Sequence, residues 1–319
     1  MFVAIITFQL FIILALRSES VGADISRYIK NFNFISTNNW DIISGLRYEV
    51  GYKLLVKIIS LITNDSQIFI SIIAAISLIG VTKLIYKYSS MPVLSYWLYI
   101  TFGFYTFIFS GLRQAIAISL VLISFDYLME NKIIKFILMV ILASLFHKTA
   151  MAFIVCYPFK NINITKKNIL SMFVSFLFIF IFRFKIMSIL KTMLYDEYEI
   201  VASNSYTLLI VALIILMASL YFYKSVINKN SKNSIYYQMM YLSVCCLLLA
   251  STTTNMTRIA DYFYIYLIIL IPEVLTSIKD KKLAYIGITL VLCISFLQYM
   301  WLTPKSQIAI VPYKLFINK

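Results

Sequence analysis

Long apolar runs, separated by short polar breaks, fill almost the whole chain. A helix needs roughly 20 apolar residues to cross the hydrocarbon core of a bilayer. Runs of about that length, or somewhat shorter, recur at 2–16, 67–86, 92–109, 112–129, 169–186, 206–223, 236–251, 259–277 and 283–301. Ile133 to Phe159 is a further apolar stretch, interrupted at His147-Lys148. No aqueous linker or repeat period is visible, and Gly and Pro are scarce. The pattern predicts an all-α, polytopic integral membrane protein of about 10–12 transmembrane helices, folded as a single transmembrane domain over 1–319. The one long polar excursion, 17–66, is expected as an outer loop. Its second half, Tyr52 to Ile62, is apolar with Lys53 and Lys57 on one side. That arrangement suits an amphipathic helix lying in the membrane interface, or a solvated loop whose charges balance.

Composition strengthens this picture. Hydrophobic residues make up 62% of the chain, where a soluble domain runs at roughly 45–50%. Charged residues are only 13% and the mean hydropathy is +0.90, which excludes a cytosolic enzyme, a secreted domain and a disordered regulator. The net charge of +15 would point to nucleic acid in a soluble protein. Here, lysines between apolar segments read as orienting charges, and no nucleic-acid partner is expected. Cys156, Cys245, Cys246 and Cys293 lie inside apolar runs without framework spacing and read as small buried hydrophobes. A single His excludes a His-rich metal site, and no metal or cofactor is expected. Phe2 to Leu16 has no preceding basic residue and no small-residue cleavage site after it, so it reads as a retained span.

Lysines gather at alternate breaks: Lys83 and Lys87; Lys132 and Lys135; Lys160, Lys166 and Lys167; Lys224, Lys229 and Lys232; Lys279, Lys281 and Lys282. The positive-inside rule puts all five groups in the cytoplasm. Residues 133–159 must then go out and return as a short helical hairpin with His147 at its outer tip; a single tilted span is the alternative. On this topology five of the six arginines, Arg17, Arg27, Arg47, Arg113 and Arg258, fall at the outer surface. Arginine suits bidentate pairing with phosphate or carboxylate, so the chemistry is expected on the outer face.

Several outer-face elements carry candidate residues. Ser110-Gly111-Leu112-Arg113-Gln114 opens an inward helix, with Ser110 as its expected N-cap. Arg113 in the first turn adds positive charge to an already positive helix end, which calls for an anion there. Snorkelling to lipid headgroups is the alternative. Thr252 to Thr257 precede Arg258 on a similar helix, where Asp261 is close enough to form a local ion pair. His147, in Phe146-His147-Lys148-Thr149-Ala150, is either structural or a proton-transfer group near neutrality. No Walker loop, zinc spacing or serine-nucleophile motif is present.

In order along the chain stand Arg17, Gly22, Asp24 and Tyr28; then Glu49, Gly51 and Tyr52; then Gly111 to Ala117; then Phe146 to Ala150; and finally Arg258 to Phe263. This series resembles the EpsG-like, Wzy-type polysaccharide polymerases over about residues 17–275. The resemblance implies a GT-C-like helical glycosyltransferase of the bacterial cytoplasmic (inner) membrane, with its site facing the exterior. Its substrates would be undecaprenyl-pyrophosphate-linked oligosaccharides, donor and acceptor, serving O-antigen or capsule synthesis. A chain-length regulator and a flippase would be further partners, with the bilayer itself. Arg113 and Arg258, supported by Arg17, are expected at the pyrophosphate, and His147 or Asp24 as the base. Gln114, Glu49, Tyr28, Tyr52 and Tyr262 are expected to orient sugars. A lipid-linked oligosaccharide flippase and a membrane O-acyltransferase are the competing readings. The first would show internal repeats and midplane charges, and the second would leave the two arginine-bearing helix ends unexplained.

Overall fold

The apolar runs fold as helices. The computed structural model describes residues 1–194, 206–250, 255–303 and 308–317. Their contacts gather into two compact units, Met1–Met151 with Ile288–Lys319, and Ala152–Gly287.

The first unit runs through α1 (Phe2–Ala15), α2 (Ile25–Thr37), α3 (Trp40–Ser44), α4 (Val50–Ser60), α5 (Ser66–Tyr88), α6 (Pro92–Thr101), α7 (Phe104–Phe107), α8 (Leu112–Met129) and α9 (Ile133–Ser144). Helices α5 and α8 are its parallel pillars. At their starts Phe69, Ile70 and Ile73 share a core with Leu112 and Ile116. At their ends Lys83 and Lys87 pair with Asp126 at 2.6 and 3.0 Å, and the Tyr88 hydroxyl donates to Asp126 at 2.6 Å. Lys87 and Lys132 both pair with Glu130. Two of the lysine groups therefore share one end of this unit, with carboxylates between them to offset their repulsion.

The run 92–109, expected as one span, is broken. Helix α6 stops at Thr101, and Gly103 at φ 85° turns the chain into the short α7. A left-handed residue cannot continue a right-handed helix, and glycine takes that conformation without a Cβ clash. Helix α1, at 14 residues, is about 21 Å long and shorter than the roughly 30 Å hydrocarbon core.

The 17–66 excursion folds onto the starts of α5 and α8. Helix α2 turns Ile25, Tyr28, Ile29, Phe32 and Ile35 inward, at helical spacing, and α4 turns Tyr52, Val56 and Ile59 to meet them. Phe32 stacks on Phe69 with ring centroids 4.6 Å apart. The lysines of α4 turn to backbone carbonyls of the same excursion. Lys53 donates to the carbonyls of Ser44 and Leu46 at 2.8 and 3.3 Å. Lys57 donates to those of Ile35, Ser36 and Asn38 at 3.1, 3.4 and 2.9 Å. Each ammonium meets carbonyls that a helix end leaves without intrahelical partners, where the macrodipole is negative. The face left exposed is apolar: Val50, Leu54, Ile58, Leu61 and Ile62.

Helix α9 leaves the lysine end and reaches the opposite one, where the Leu145 carbonyl accepts the Gly51 N–H at 2.9 Å. A 3-10 run, Lys148–Val155, then leads into α10 (Cys156–Phe159). The second unit continues through α11 (Lys166–Leu194), α12 (Thr207–Tyr221), α13 (Tyr223–Lys229), α14 (Ser234–Ala250), α15 (Asn255–Tyr264) and α16 (Leu267–Ser277), and α17 (Lys281–Leu302) follows. Here Gln238 Nε2 donates to the Ile162 carbonyl at 3.1 Å. Lys229 and Asn233 hold Glu273 at 3.1 and 2.9 Å. The turn after Lys160, the Lys229–Lys232 turn and the end of α16 thus share one end of this unit, and Arg258 lies on the helix that starts at the other.

Among the described residues, six helices are long and apolar enough to cross a membrane. They are seven if α12 and α13, bent by 66°, count as one span. The architecture is that of an all-α, multi-pass membrane protein. Phe2–Ala15, Ile133–Ser144 and Lys148–Phe159 are shorter apolar helices, which is why fewer elements span than the sequence pattern predicts.

Candidate functional site

The end of the first unit opposite its lysines holds a polar cluster on an apolar floor. Arg113 lies in the first turn of α8, and Gln114 beside it is buried. The anion that this helix end calls for comes from the chain itself: Arg113 Nη1 is paired with Glu49 Oε2, at the N-cap of α4. The Arg113 guanidinium also lies over the Tyr48 ring, 4.9 Å from its centroid. Asn31 Nδ2 donates to the Tyr48 hydroxyl. Tyr28 and Tyr48 each pack against Tyr52, at centroid distances of 5.8 and 5.5 Å. Burial lifts the Tyr28 phenol above its ordinary range, with Arg113 opposing, and lifts Tyr52 well above it. Both phenols stay neutral donors through physiological pH.

Asp24, the N-cap of α2, is half exposed and accepts from Ser110 Oγ at 3.0 Å, with Arg27 4.0 Å away. Ser110 therefore does not cap α8. Gly111 occupies the N-cap position without a side-chain bond, and the Ser110 hydroxyl instead ties the α8 approach to Asp24 at the start of α2. His147 is buried, and its Nδ1 lies 2.6 Å from Thr149 Oγ1. The Gly51–Leu145 bond places its segment against the start of α4, one residue from Tyr52, and Phe146 packs on the same core. Arg17 is wholly buried, with its guanidinium 5.0 Å from the Phe109 ring centroid and Nη1 3.4 Å from the Ile108 carbonyl.

The folded unit thus gathers Asp24, Tyr28, Glu49, Tyr52 and Arg113, with Gln114, Arg17 and His147 on adjoining segments. Four buried donor atoms there lack an acceptor among the described residues: Arg113 Nε, the Tyr52 hydroxyl, and Arg17 Nε and Nη2. Buried polar atoms without partners are uncommon and mark places where a ligand can supply them. Sequence reasoning missed Tyr48 and Asn31. Tyr48 adjoins Glu49, but its role comes from the ring it lays beneath Arg113, across 65 residues of chain. Arg258 and Tyr262 belong to the second unit, Arg258 exposed on α15 and Tyr262 wholly buried. Thr252, Thr253 and Thr254, expected near Arg258, lie outside the described residues.

The cluster offers cations, neutral phenols, an amide, carboxylates and an imidazole, a set suited to an anionic, hydroxyl-rich ligand. Among the described residues no group of three or more His, Cys, Asp or Glu side chains is placed to hold a metal ion. No curated protein and no solved structure matches the chain. A family model does, over residues 1–315: the chain belongs to the EpsG family of Wzy-like, polymerase-type membrane proteins.

Proposed function

We propose that this protein is a polysaccharide repeat-unit polymerase, a glycosyltransferase working on the outer face of the bacterial cytoplasmic membrane. It moves a growing glycan from undecaprenyl pyrophosphate to the non-reducing sugar of a lipid-linked repeat unit. The observation that carries this reading is the cluster around Arg113, at the end of its unit opposite the lysines, in a chain of this family.

In the reaction the acceptor hydroxyl oxygen attacks the anomeric carbon of the donor, and the bond from that carbon to the pyrophosphate oxygen breaks. The electron pair leaves with undecaprenyl pyrophosphate, and the hydroxyl proton passes to a base. Cations fixed where the leaving charge develops lower the barrier without reorganising. Arg113 and Arg258, supported by Arg17, take that role. Glu49 and Tyr48 hold the Arg113 fork in place, so its orientation is settled before the substrate arrives. His147, whose Nδ1 lies 2.6 Å from Thr149 Oγ1, takes the proton. Asp24 is the second candidate for the base. Tyr28, Tyr52, Tyr262, Gln114 and Glu49 hydrogen-bond or stack on sugars.

The test is complementation. The gene is deleted in its host and restored as wild type, Arg113→Ala, Arg258→Ala, His147→Ala or Asp24→Asn, and the surface glycan is run on a gel. The deletion should leave single repeat units at the surface, and wild type should restore the ladder. Arg113→Ala should cut polymer by about 100-fold or more, the scale of losing one preorganised charge-stabilising donor. An unchanged ladder in Arg113→Ala and Arg258→Ala removes their pyrophosphate roles. Repeat units trapped on the cytoplasmic leaflet after deletion would identify a flippase instead.

A further inference from the structure

Gly51 stands in the first turn of α4, between Glu49, which holds Arg113, and Tyr52, whose hydroxyl is buried without a partner. Glycine is less favourable in a helix than alanine, because it gives up more backbone freedom on folding. Gly51 has no positive φ that would require it. What requires it is space. A Cβ on Gly51 would come within 2.7 Å of the Leu145 carbonyl oxygen and 2.8 Å of the Leu145 Cβ. The obstacle is mainly backbone, which cannot swing aside as the tip of a side chain can.

This close approach joins two helix ends. Leu145 is the C-cap of α9, so its carbonyl is among those that a helix leaves without an internal partner. The Gly51 N–H is likewise one of the free donors at the start of α4. The two meet in a hydrogen bond of 2.9 Å, where the negative end of α9 faces the positive end of α4. Beyond Leu145 the chain is held closely. The Phe146 and His147 N–H groups both donate to the Ala143 carbonyl, at 3.0 and 3.1 Å, and Ala150 N–H donates to the His147 carbonyl at 3.0 Å. Phe146 packs on the core that contains Tyr52, Leu112 and Ile116. The buried imidazole, with Nδ1 2.6 Å from Thr149 Oγ1, therefore sits two residues from an anchor on the helix that also orients Arg113.

We propose that Gly51 is a positioning residue for proton transfer: its bare Cα admits the Leu145 carbonyl to the start of α4, and this contact fixes His147 relative to the Arg113–Glu49 pair. The proposal rests on the polymerase reading with His147 as base, and deepens it by naming what holds the base in register with the cationic helix end. Gly51 itself touches no substrate; it acts through the segment it anchors.

The test follows polymerisation by the full chain in detergent micelles, with lipid-linked repeat units extracted from the deletion strain as donor and acceptor. Gly51→Ala should lower kcat by about tenfold or more with KM nearly unchanged, since an ångström of misplacement can cost about 100-fold. In a His147→Ala background the same change should do nothing further, because a base already removed cannot be misplaced. Phe146→Leu loosens the segment from its other side without a clash. It should show the same split between kcat and KM and the same non-additivity, so the result does not depend on how well Gly51→Ala folds. Lys57→Met weakens α4 away from this contact, and should lower Tm while keeping the wild-type kcat.

Losses that multiply when Gly51→Ala and His147→Ala are combined overturn the positioning role. So does a rise in KM at unchanged kcat, which would place the effect on sugar binding. A fall in kcat for Lys57→Met as large as that for Gly51→Ala reduces the effect to helix stability, and overturns it too. His147→Ala at the wild-type rate is a different failure: it removes the base assignment itself, and the role of Gly51 with it.

Discussion

Tyr52 shows how a single atom can be read for function. Its ring is a core residue, wedged between Tyr28 and Tyr48, yet its hydroxyl is buried with no partner. An unsatisfied buried hydroxyl costs about 1–3 kcal/mol. Tyr52→Phe should therefore leave stability unchanged or raise it by about 1 kcal/mol. If the hydroxyl is kept for the glycan, the same change should lower polymer output by about tenfold, the worth of one hydrogen bond in a buried site. Melting curves beside glycan gels separate the two effects, and loss of both stability and polymer would mean the hydroxyl is structural. The phenol also carries a pH signature. Burial raises its folded-state pKa, so the unfolded chain gives up that proton first as pH passes about 10. The stabilising contribution is complete below that pH and is lost as pH climbs toward the folded value. Tyr52→Phe should flatten the alkaline decline in melting temperature.

Helix α4 shows what an element's pattern leaves undecided. Lys53 and Lys57 stand on one side of an apolar run, and both reach carbonyls at the C-terminal ends of α3 and α2. Periodicity gives the angle between faces and not which face meets the protein, and the carbonyls that decide the matter are distant in sequence. Lys57→Met should leave the carbonyls of Ile35, Ser36 and Asn38 without this donor and cost about 1–2 kcal/mol. Lys57→Arg should recover part of that. Thermal melts check both, and a melt of Lys57→Met matching wild type would return Lys57 to the role of a surface charge.

Across the whole molecule, charge is sorted by side chain as well as by position. Within each unit the lysine groups share one end, and Arg113 and Arg258 lie at the start of helices that begin at the other. With the lysine ends in the cytoplasm, cysteines at Arg27 and Asn33, both exposed, should react in intact cells with a membrane-impermeant maleimide. A cysteine at Lys132, in a background free of native cysteines, should react only after permeabilisation. The reverse pattern would invert the orientation and move the candidate site to the cytoplasmic side.

The class of solvent, the helical architecture, the alternation of lysine-rich breaks and the ordered motifs that carry the family are all legible in the amino-acid string. These follow from local composition and spacing, because a bilayer demands apolar length and internally satisfied backbone wherever the chain crosses. Asp24, Tyr28, Glu49, Tyr52 and Arg113 were legible as separate motifs, since each is a polar or aromatic residue placed against its apolar background. It takes the fold to show that Glu49 neutralises Arg113, that Ser110 binds Asp24 and not its own helix, that Tyr48 lies under a guanidinium, and that Arg17 bridges to Leu315, almost 300 residues away. Those are contacts between remote parts of the chain. A pairing across that distance is fixed by the packing of whole helices, which no window of sequence contains.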